Sequence, residues 1–518
     1  MGQALEKEEF TPEEVTRFSA RLEESLEALE RVLARPGFGV GPRTLGAELE
    51  AHLVDRGGRA LNVCGEVLAR ARHHQLTVEL GRFNVEINAG VVLLAGRPFR
   101  EFGADLTRML ARLRQAAGEV GGRVALVGVL PTLRLEELVP GVISPLPRYR
   151  ALQHGLRGHR ARPFRLHIEG EETLSHELEY ISAASACTSM QYHLKVDPAD
   201  FARAHNAAQL AIAPVLALCG NSPLFLGRRL WHETRIPLYR QLTDGRSSEE
   251  EEMELPSRTG FGHGWVRQGA HELFAQGVSL HLPILPVLGH EAPLEVVERG
   301  GVPSLSELRI HQGTLYPWNR AVYDPSDGGH VRVEMRALPS GPSVPDMLAN
   351  GALLLGLTLS LMEEVEALVS RMPFRCARTN FYRAARQGLD APLYWPGRPG
   401  QPLAVQPVRE LLPRLLARAR QGLVSAGVEL EDVEPLFELL AGRLRTGRTG
   451  ARWQLDALAR LEADRPRHEA LTAMFERYRP TPRKACRCIP AGCVRGWFRP
   501  RLPPVIPTPR GASQALLL

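Results

Sequence analysis

The chain has 518 residues, of which 44% are hydrophobic and 24% are charged, as in an ordinary soluble globular protein. Its formal charge of +6 comes from residues 481–518, which contain seven basic residues and no acidic ones. The remaining residues, 1–480, have 57 basic and 58 acidic side chains and are therefore near neutral. The charge therefore gives no argument for nucleic-acid binding, and three lysines, none in a P-loop frame, exclude a P-loop enzyme.

The cysteines and the apolar runs predict a cytoplasmic protein without a membrane partner. Seven cysteines are spread along the chain with no disulfide framework, which fits a reducing compartment. Charged residues precede any apolar run at the N-terminus, unlike a secretory signal. The longest apolar stretch, 347–362, contains Asn350 and is short for a membrane span, so it predicts a buried helix.

The pattern of elements begins with a helix and ends with a tail. Apolar residues at helical spacing over 11–35 predict a surface helix that begins with a Thr11–Glu14 capping box. From 408 to 478 helical patterns dominate. The predicted divisions are an N-terminal helix in 1–40, a catalytic domain in 41–480 with a helical subregion at about 404–480, and a disordered, basic, Pro-rich tail in 481–518.

Two carboxylates stand at alternate positions in the first predicted strand, residues 43–55. A strand places Glu48 and Glu50 on one face. Neighbouring carboxylates repel each other unless solvent, a proton or a cation lies between them, and hard divalent cations prefer such oxygen-rich sites. Taken alone, however, the pair is more typical of a solvated edge strand.

A second polar strand face is predicted at residues 84–88, which include Glu86. Glu79 precedes Glu86 by seven positions, and a regular strand would put two residues at this odd separation on opposite faces. A bend or bulge at Gly81-Arg82 would bring both carboxylates to one site. Without other evidence, the segment is an amphipathic strand.

The third polar face is on a strand predicted at residues 190–196, where Gln191 and His193 share one side. A single strand histidine is more often structural than a metal ligand. The neighbouring predictions are a helix at 100–116, a strand at 124–130 and a helix at 199–218.

Two further segments complete the pattern. The acidic run 249–252 predicts a solvated loop, and the Gly-rich segment 246–265 around it is a candidate lid over an active site, or else a plain surface loop. Strict alternation at 330–336 then predicts a strand with Glu334 and Arg336 on one face. A cross-strand salt-bridge ladder would explain that face equally well.

Together the four polar faces favour a metal site. Burying five carboxylates and an imidazole in one sheet is tolerable only if cations neutralise them. The set divides naturally into two or three Mg²⁺ or Mn²⁺ positions, with Arg336 beside them for a phosphate. The predicted ligands are Glu48, Glu50, Glu79, Glu86, His193 and Glu334.

The ordered motifs Glu-x-Glu, Glu-x6-Glu, Gln-x-His and Glu-x-Arg resemble the glutamate–cysteine ligases, most closely their bacterial second type, which are carboxylate–amine ligases of the glutamine synthetase superfamily. Segments 187–193, 217–223, 318–320 and 334–342 resemble that family's motifs as well. The resemblance covers roughly residues 43–360. It implies an α+β fold whose curved, mainly antiparallel sheet forms an open barrel or funnel, with helices on its outer face and a helical C-terminal region.

The resemblance also implies roles for individual residues. The first metal ion would be held by Glu50, Glu79 and Glu86, and the second by Glu48, His193 and Glu334. Arg336 would contact the transferred phosphoryl group of ATP, and the catalytic pair would be Arg336 and Glu334. Arg320 would bind the carboxylate of the acceptor amino acid, and Gln191 would line the same substrate-binding face.

The implied activity is an ATP-dependent ligation of the γ-carboxylate of glutamate to an amine through an acyl phosphate, with cysteine as the family's default amine. This is the first step of glutathione-type thiol synthesis. The alternatives are a ligase for another amine, a phosphotransferase of the same superfamily resembling the guanidino kinases, and a non-catalytic protein that keeps the fold.

Overall fold

The computed structural model describes residues 7–397 and 400–478. The predicted tail 481–518, with its three cysteines, lies outside these residues. Within them the chain forms strands and helices in mixed order, as the sequence predicts for an α+β protein.

The described strands form one large sheet and three hairpins. They are β1 Thr44–Val54, β2 Leu76–Val78, β3 Asn84–Leu93, β4 Arg123–Ala125, β5 Phe164–Glu169, β6 Thr173–Leu178, β7 Met190–Val196, β8 Leu224–Phe225, β9 Arg228–Arg229, β10 Asn319–Asp324, β11 His330–Met335, β12 Pro392–Trp395 and β13 Ala404–Pro407. The large sheet runs in the order β10-β11-β7-β1-β3-β2, with β4 paired to β1, and all its pairs are antiparallel. The hairpins are β5–β6, β8–β9 and β12–β13.

The described α-helices surround this sheet and make up the C-terminal region. They are α1 Pro12–Leu33, α2 Cys64–Ala71, α3 Pro98–Glu119, α4 Pro147–Arg160, α5 Phe201–Cys219, α6 Arg235–Leu242, α7 Ser248–Glu252, α8 Ala270–Leu280, α9 Pro293–Glu298, α10 Ser306–Gln312, α11 Val344–Met362, α12 Val365–Val369, α13 Phe374–Gln387, α14 Val408–Ser425, α15 Leu430–Thr446, α16 Gly450–Leu461 and α17 Arg467–Tyr478. Helices α3, α5 and α11 pack on the sheet, and α14 and α15 pack behind α11.

Strand alternation separates an apolar face from a polar face. Leu49 and Ala51 of β1 are fully buried on the helix side, whereas Glu48 and Glu50 point to the other side. The register places the polar residues of neighbouring strands opposite each other: Glu50 pairs with Glu86, Glu48 with Gln191, and His193 with Glu334. The four polar faces predicted from the sequence therefore form one surface.

The antiparallel sheet with packed helices is confirmed, but the open barrel or funnel is not. In the part of the chain that is described, no pairing joins the edge strands β10 and β2, so the sheet is not closed. The helix α11 matches the predicted buried helix. Among the described residues it is the one helix apolar and long enough to cross a membrane, yet 83% of its most apolar window is buried inside the protein.

Several local predictions are confirmed and two are wrong. Helix α1 begins at the predicted Thr11–Glu14 capping box, and β7 spans 190–196 as predicted. The strand predicted at 124–130 ends at Ala125, and the buried apolar residues after it are irregular chain. Hydrophobic periodicity alone does not distinguish a buried strand from buried irregular chain. The acidic run 249–252 lies in the short helix α7 instead of a loop, because Ser247 caps that helix.

Candidate active site

A cleft of about 800 Å³ lies over the polar face of the sheet. The sheet forms one wall, and the opposite wall comes from α4, α10 and the chain on either side of them. All nine residues predicted for the site line this cleft. They are Glu48, Glu50, Glu79, Glu86, Gln191, His193, Arg320, Glu334 and Arg336.

Glu48, His193 and Glu334 form the tightest cluster in the cleft. Their ligand atoms lie within 4.8 Å of one another, a distance compatible with a shared metal ion. His193 Nε2 is 3.2 Å from Glu48 Oε1 and 3.8 Å from Glu334 Oε1. Burial alone would raise the pKa of Glu48, but the neighbouring His193 outweighs it and lowers this pKa.

A chain of hydrogen bonds joins Glu50 to Arg336 through Gln191. Gln191 Nε2 donates to Glu50 Oε1 at 2.9 Å, and Arg336 Nη1 donates to Gln191 Oε1 at 2.7 Å. Ser189 holds the other side of Glu50, with its backbone N–H 2.8 Å from Oε2 and its hydroxyl 2.9 Å from Oε1. Both ends of the Gln191 amide bond to protein groups, so this residue positions Glu50 and Arg336, and its predicted contact with substrate stays a prediction.

Glu79 reaches the cleft because the chain bends sharply after β2. A Cβ atom on Gly81 would lie 2.1 Å from Asn84 Oδ1 and 2.6 Å from Ser185 Cβ, so this close approach requires glycine. The predicted bend at this glycine brings Glu79 and Glu86 to the same cleft, although they are seven positions apart.

The carboxylates at this end of the cleft are hard to ionise together. Burial and the Glu50 carboxylate raise the pKa of Glu79 to about 7. Burial and the surrounding carboxylates raise the pKa of Glu86 well above its usual value, although Asn88 Nδ2 donates to Glu86 Oε1 at 2.8 Å. A cation would relieve this repulsion.

Arg320 has partners other than the predicted substrate carboxylate. Its Nε donates to Glu334 Oε2 and its Nη2 to Glu334 Oε1 at 3.1 Å, which makes a bidentate ion pair. Its Nη1 donates to the backbone oxygens of Gln312 and Leu315, each at 3.2 Å. In this arrangement Arg320 holds Glu334 and the chain after α10 in place, and its contact with a substrate carboxylate stays a prediction.

Arg336 is better placed for a ligand. Only its Nη1 is engaged, with Gln191 Oε1 and with Glu334 Oε1 at 2.8 Å, so Nε and Nη2 have no partner among the described residues. Burial alone would raise the pKa of Glu334, but Arg320 and Arg336 outweigh it and hold this pKa well below its usual range. Glu334 therefore stays ionised beside a guanidinium group with free N–H donors.

Sequence analysis missed several residues on the wall opposite the sheet. The side chains of Arg148 on α4 and Arg309 on α10 line the cleft and make no hydrogen bond or ion pair with the described part of the chain, although the Arg148 guanidinium lies over the Tyr149 ring. Tyr239 and Tyr316 stand beside them with their rings edge to face, 5.5 Å between centroids. No alternation or motif marked these four residues, because they lie on helices and loops that meet the sheet only in three dimensions.

The candidate lid at 246–265 does not border the cleft. None of its residues lines that cavity, and its second half is packed into the core. Phe261 is 2% exposed and stacks near Phe374 and Phe381, while Asn206 exchanges two hydrogen bonds with the backbone of Val266. This packing opposes a lid movement of the segment.

The donors in the cleft fit the metal ions implied by the sequence. His193 Nε2 is buried, has no hydrogen-bond partner, and faces two carboxylates, as a ligand nitrogen would. Its Nδ1 accepts a hydrogen bond from Arg332 Nε at 3.1 Å, so a cation bound at Nε2 would require Arg332 to turn away and the ring proton to lie on Nδ1. Glu50, Glu79 and Glu86 line the same cavity, but among the described residues only the His193 cluster falls within 4.8 Å.

Comparison with known proteins relates this chain to a family of ligases. The family model described as glutamate-cysteine ligase family 2 matches residues 44–476. A search of curated proteins returned no match.

Solved structures resemble the fold at low sequence identity. A glutamate–cysteine ligase from Francisella tularensis in complex with AMP has a TM-score of 0.52 at 10% identity, over 85% of this chain and 89% of that one. A bifunctional glutathione synthetase from Pasteurella multocida has a TM-score of 0.43 at 11% identity, over 89% of this chain and 54% of that one. The first comparison supports a shared fold with that ligase.

Proposed function

The chain belongs to glutamate-cysteine ligase family 2, and on that premise we propose that it joins the γ-carboxylate of glutamate to an amine with ATP as the energy source. The proposed amine is cysteine, and the proposed intermediate is an acyl phosphate. The observation that carries the proposal is the arrangement in one cleft of five carboxylates, one imidazole and Arg336, on the polar face of the sheet and at its edges.

The chemistry requires activation of the carboxylate because oxide is a poor leaving group. Transfer of the γ-phosphoryl group of ATP to a glutamate oxygen gives an acyl phosphate and ADP. The amine nitrogen then attacks the acyl carbon, phosphate leaves with the bonding electron pair, and the nitrogen loses a proton to form the amide. Bound magnesium would neutralise charge that develops on the phosphoryl oxygens.

The proposed ligands divide this work between two metal ions. We assign Glu48, His193 and Glu334 to one metal ion, on the basis of their 4.8 Å cluster. Glu50, Glu79 and Glu86 are assigned to another ion. The free Nε and Nη2 donors of Arg336 would contact the phosphoryl group between them, while Gln191 and Glu334 fix the direction of its side chain.

The opposite wall supplies groups for the amino-acid substrates. The Arg148 guanidinium lies over the Tyr149 ring, 5.1 Å from its centroid, and makes no hydrogen bond or ion pair with the described residues; Tyr239 and Tyr316 line the same cleft. A guanidinium group binds a carboxylate through two parallel N–H donors. Arg148 is therefore our candidate for binding a substrate carboxylate, the role that the sequence resemblance had assigned to Arg320.

The test is an assay of phosphate release from ATP in magnesium buffer, with glutamate and single amines added in turn. The proposal expects release that needs glutamate together with one amine, and an amide product of matching mass. A stable phosphorylated acceptor without an amide would instead identify a phosphotransferase. Absence of glutamate-dependent release with any amine, from protein that still binds ATP, would refute the assigned substrate.

A further inference from the structure

Helix α1 lies outside the part of the chain that the family model matches, which begins at residue 44. It nevertheless packs against α8, α9 and α10, and α10 forms part of the cleft wall. Phe18, Leu22 and Leu29 are buried on its inner side. A helix additional to the matched region therefore supports a wall of the candidate active site.

Polar bonds join α1 to the chain around α9 and α10. Arg21 Nη2 donates to the backbone oxygen of Glu291 at 2.6 Å, and Arg21 Nε lies 3.4 Å from Glu307 Oε1. Arg35, just beyond the helix, donates to the backbone oxygens of Val297 and Gly301, each at 2.5 Å. These bonds fix the position of the irregular chain that carries α10.

Glu307 is the central group of this contact. Its side chain is only 2% exposed, and its Oε1 accepts a hydrogen bond from the backbone N–H of Gly289 at 3.0 Å in addition to the contact with Arg21. A buried carboxylate without its cation is strongly disfavoured, so Arg21 determines whether Glu307 can stay in this position.

One side of helix α10 is buried in the protein, and the other side lines the cleft. Glu307, Leu308 and His311 are buried, whereas Arg309 and Ile310 line the cleft together with Ser306. Because α10 has only seven residues and no side-chain N-cap, its own hydrogen bonds hold it weakly. Its placement in the cleft wall therefore depends on the contacts made by its buried side.

We propose that α1 is a brace for the cleft wall and that Arg21 and Glu307 are positioning residues for the substrates that bind against α10. The effect on substrate binding rests on the ligase function proposed above. The effect on the position of α10 does not rest on that function, because α1 contacts α10 in the folded chain whether or not the protein is an enzyme.

The experiment compares Arg21→Met with Arg17→Met in the full chain. Arg17 is exposed on the same helix and is the matched control. In native-state hydrogen exchange, Arg21→Met should speed exchange of the amides in α10 by about tenfold while β1 and β7 stay unchanged, and Arg17→Met should change neither. Equal exchange of α10 in both variants would overturn the proposal, as would equal acceleration in α10, β1 and β7.

Kinetics provide the second readout. If the ligase assay succeeds for the wild-type chain, Arg21→Met should raise the KM of an amino-acid substrate severalfold and leave kcat within about twofold. Glu307→Gln keeps an acceptor for Gly289 without a buried charge, and it should act in the same direction but more weakly. Unchanged KM values in both variants would overturn the positioning role. Failure of the wild-type assay would refute the ligase function and leave the exchange test valid.

Discussion

Replacement of Gln191 by leucine is the sharpest test of how the site is organised. The side chain is 2% exposed, and its amide joins Glu50 to Arg336 by hydrogen bonds of 2.9 and 2.7 Å. Leucine has a similar volume but neither a donor nor an acceptor. The change therefore removes both bonds and leaves the sheet packing nearly intact.

The magnitude follows from the charges of the two partners. A hydrogen bond to an ionised group contributes about 1.5–3 kcal/mol. Glu50 keeps its two bonds from Ser189, and Arg336 keeps its bond to Glu334, so neither charge is left without a partner. We therefore take the lower end of that range for each of the two lost bonds and expect a loss of about 3 kcal/mol in the free energy of unfolding. Misdirection of Arg336 should lower kcat/KM by roughly 10–100-fold.

The assay measures glutamate- and amine-dependent phosphate release beside urea unfolding. Gln454→Leu is the matched control, because Gln454 is 1% exposed and makes two hydrogen bonds to Asn221 outside the cleft. It should lose similar stability and keep its activity. The reasoning fails if Gln191→Leu keeps kcat/KM within twofold of wild type, or if the control loses as much activity.

Three further outcomes are expected. Arg320→Met removes the bidentate partner of the buried Glu334, which keeps its ion pair with Arg336, and should lower the free energy of unfolding by about 2–3 kcal/mol, measured in urea; a loss below 1 kcal/mol would contradict the pairing. Because burial and Glu50 raise the pKa of Glu79 to about 7, protons compete with Mg²⁺ below this pH. Calorimetry should then show Mg²⁺ affinity falling by at least tenfold per pH unit below pH 7, because the pKa of Glu86 is raised as well, whereas Glu79→Gln should show a flatter profile. Gly81→Ala places a Cβ against Asn84 and should cost about 1–3 kcal/mol of stability and weaken Mg²⁺ binding, and unchanged binding would show that the bend does not position Glu79.

The polar face of the sheet was predictable because strand periodicity is local. Alternation in short runs was enough to put Glu48 with Glu50 and Gln191 with His193, and the antiparallel register then aligned these runs. The bend at Gly81 was also visible, since the odd spacing of Glu79 and Glu86 required one. These features depend on residues within a few positions of each other.

The opposite wall could not be predicted in the same way. Arg148 and Arg309 lie on helices, and a helix sequence predicts only which of its sides is buried. It does not predict which strand of the sheet the other side faces. The ion pair between Arg320 and Glu334 was not predicted, for a related reason. Its pairing with Glu334 arises from the register of β10 with β11, and that register is not encoded in either strand alone.

Strands that are neighbours in the sheet are translated at very different times. Strand β1 lies near the centre of the sheet and is made early, whereas its neighbour β7 and then β11 come much later. About 250 residues separate Glu86 from Glu334, which at 5–20 residues per second is roughly 12–50 s of translation. Throughout that interval the carboxylates of β1 and β3 lack Arg336, and Gln191 follows Glu86 only after about 105 residues. Dissolved cations and water are then the counter-charges of the emerging hairpin, so the ionic content of the cell already acts on this site while it is being made.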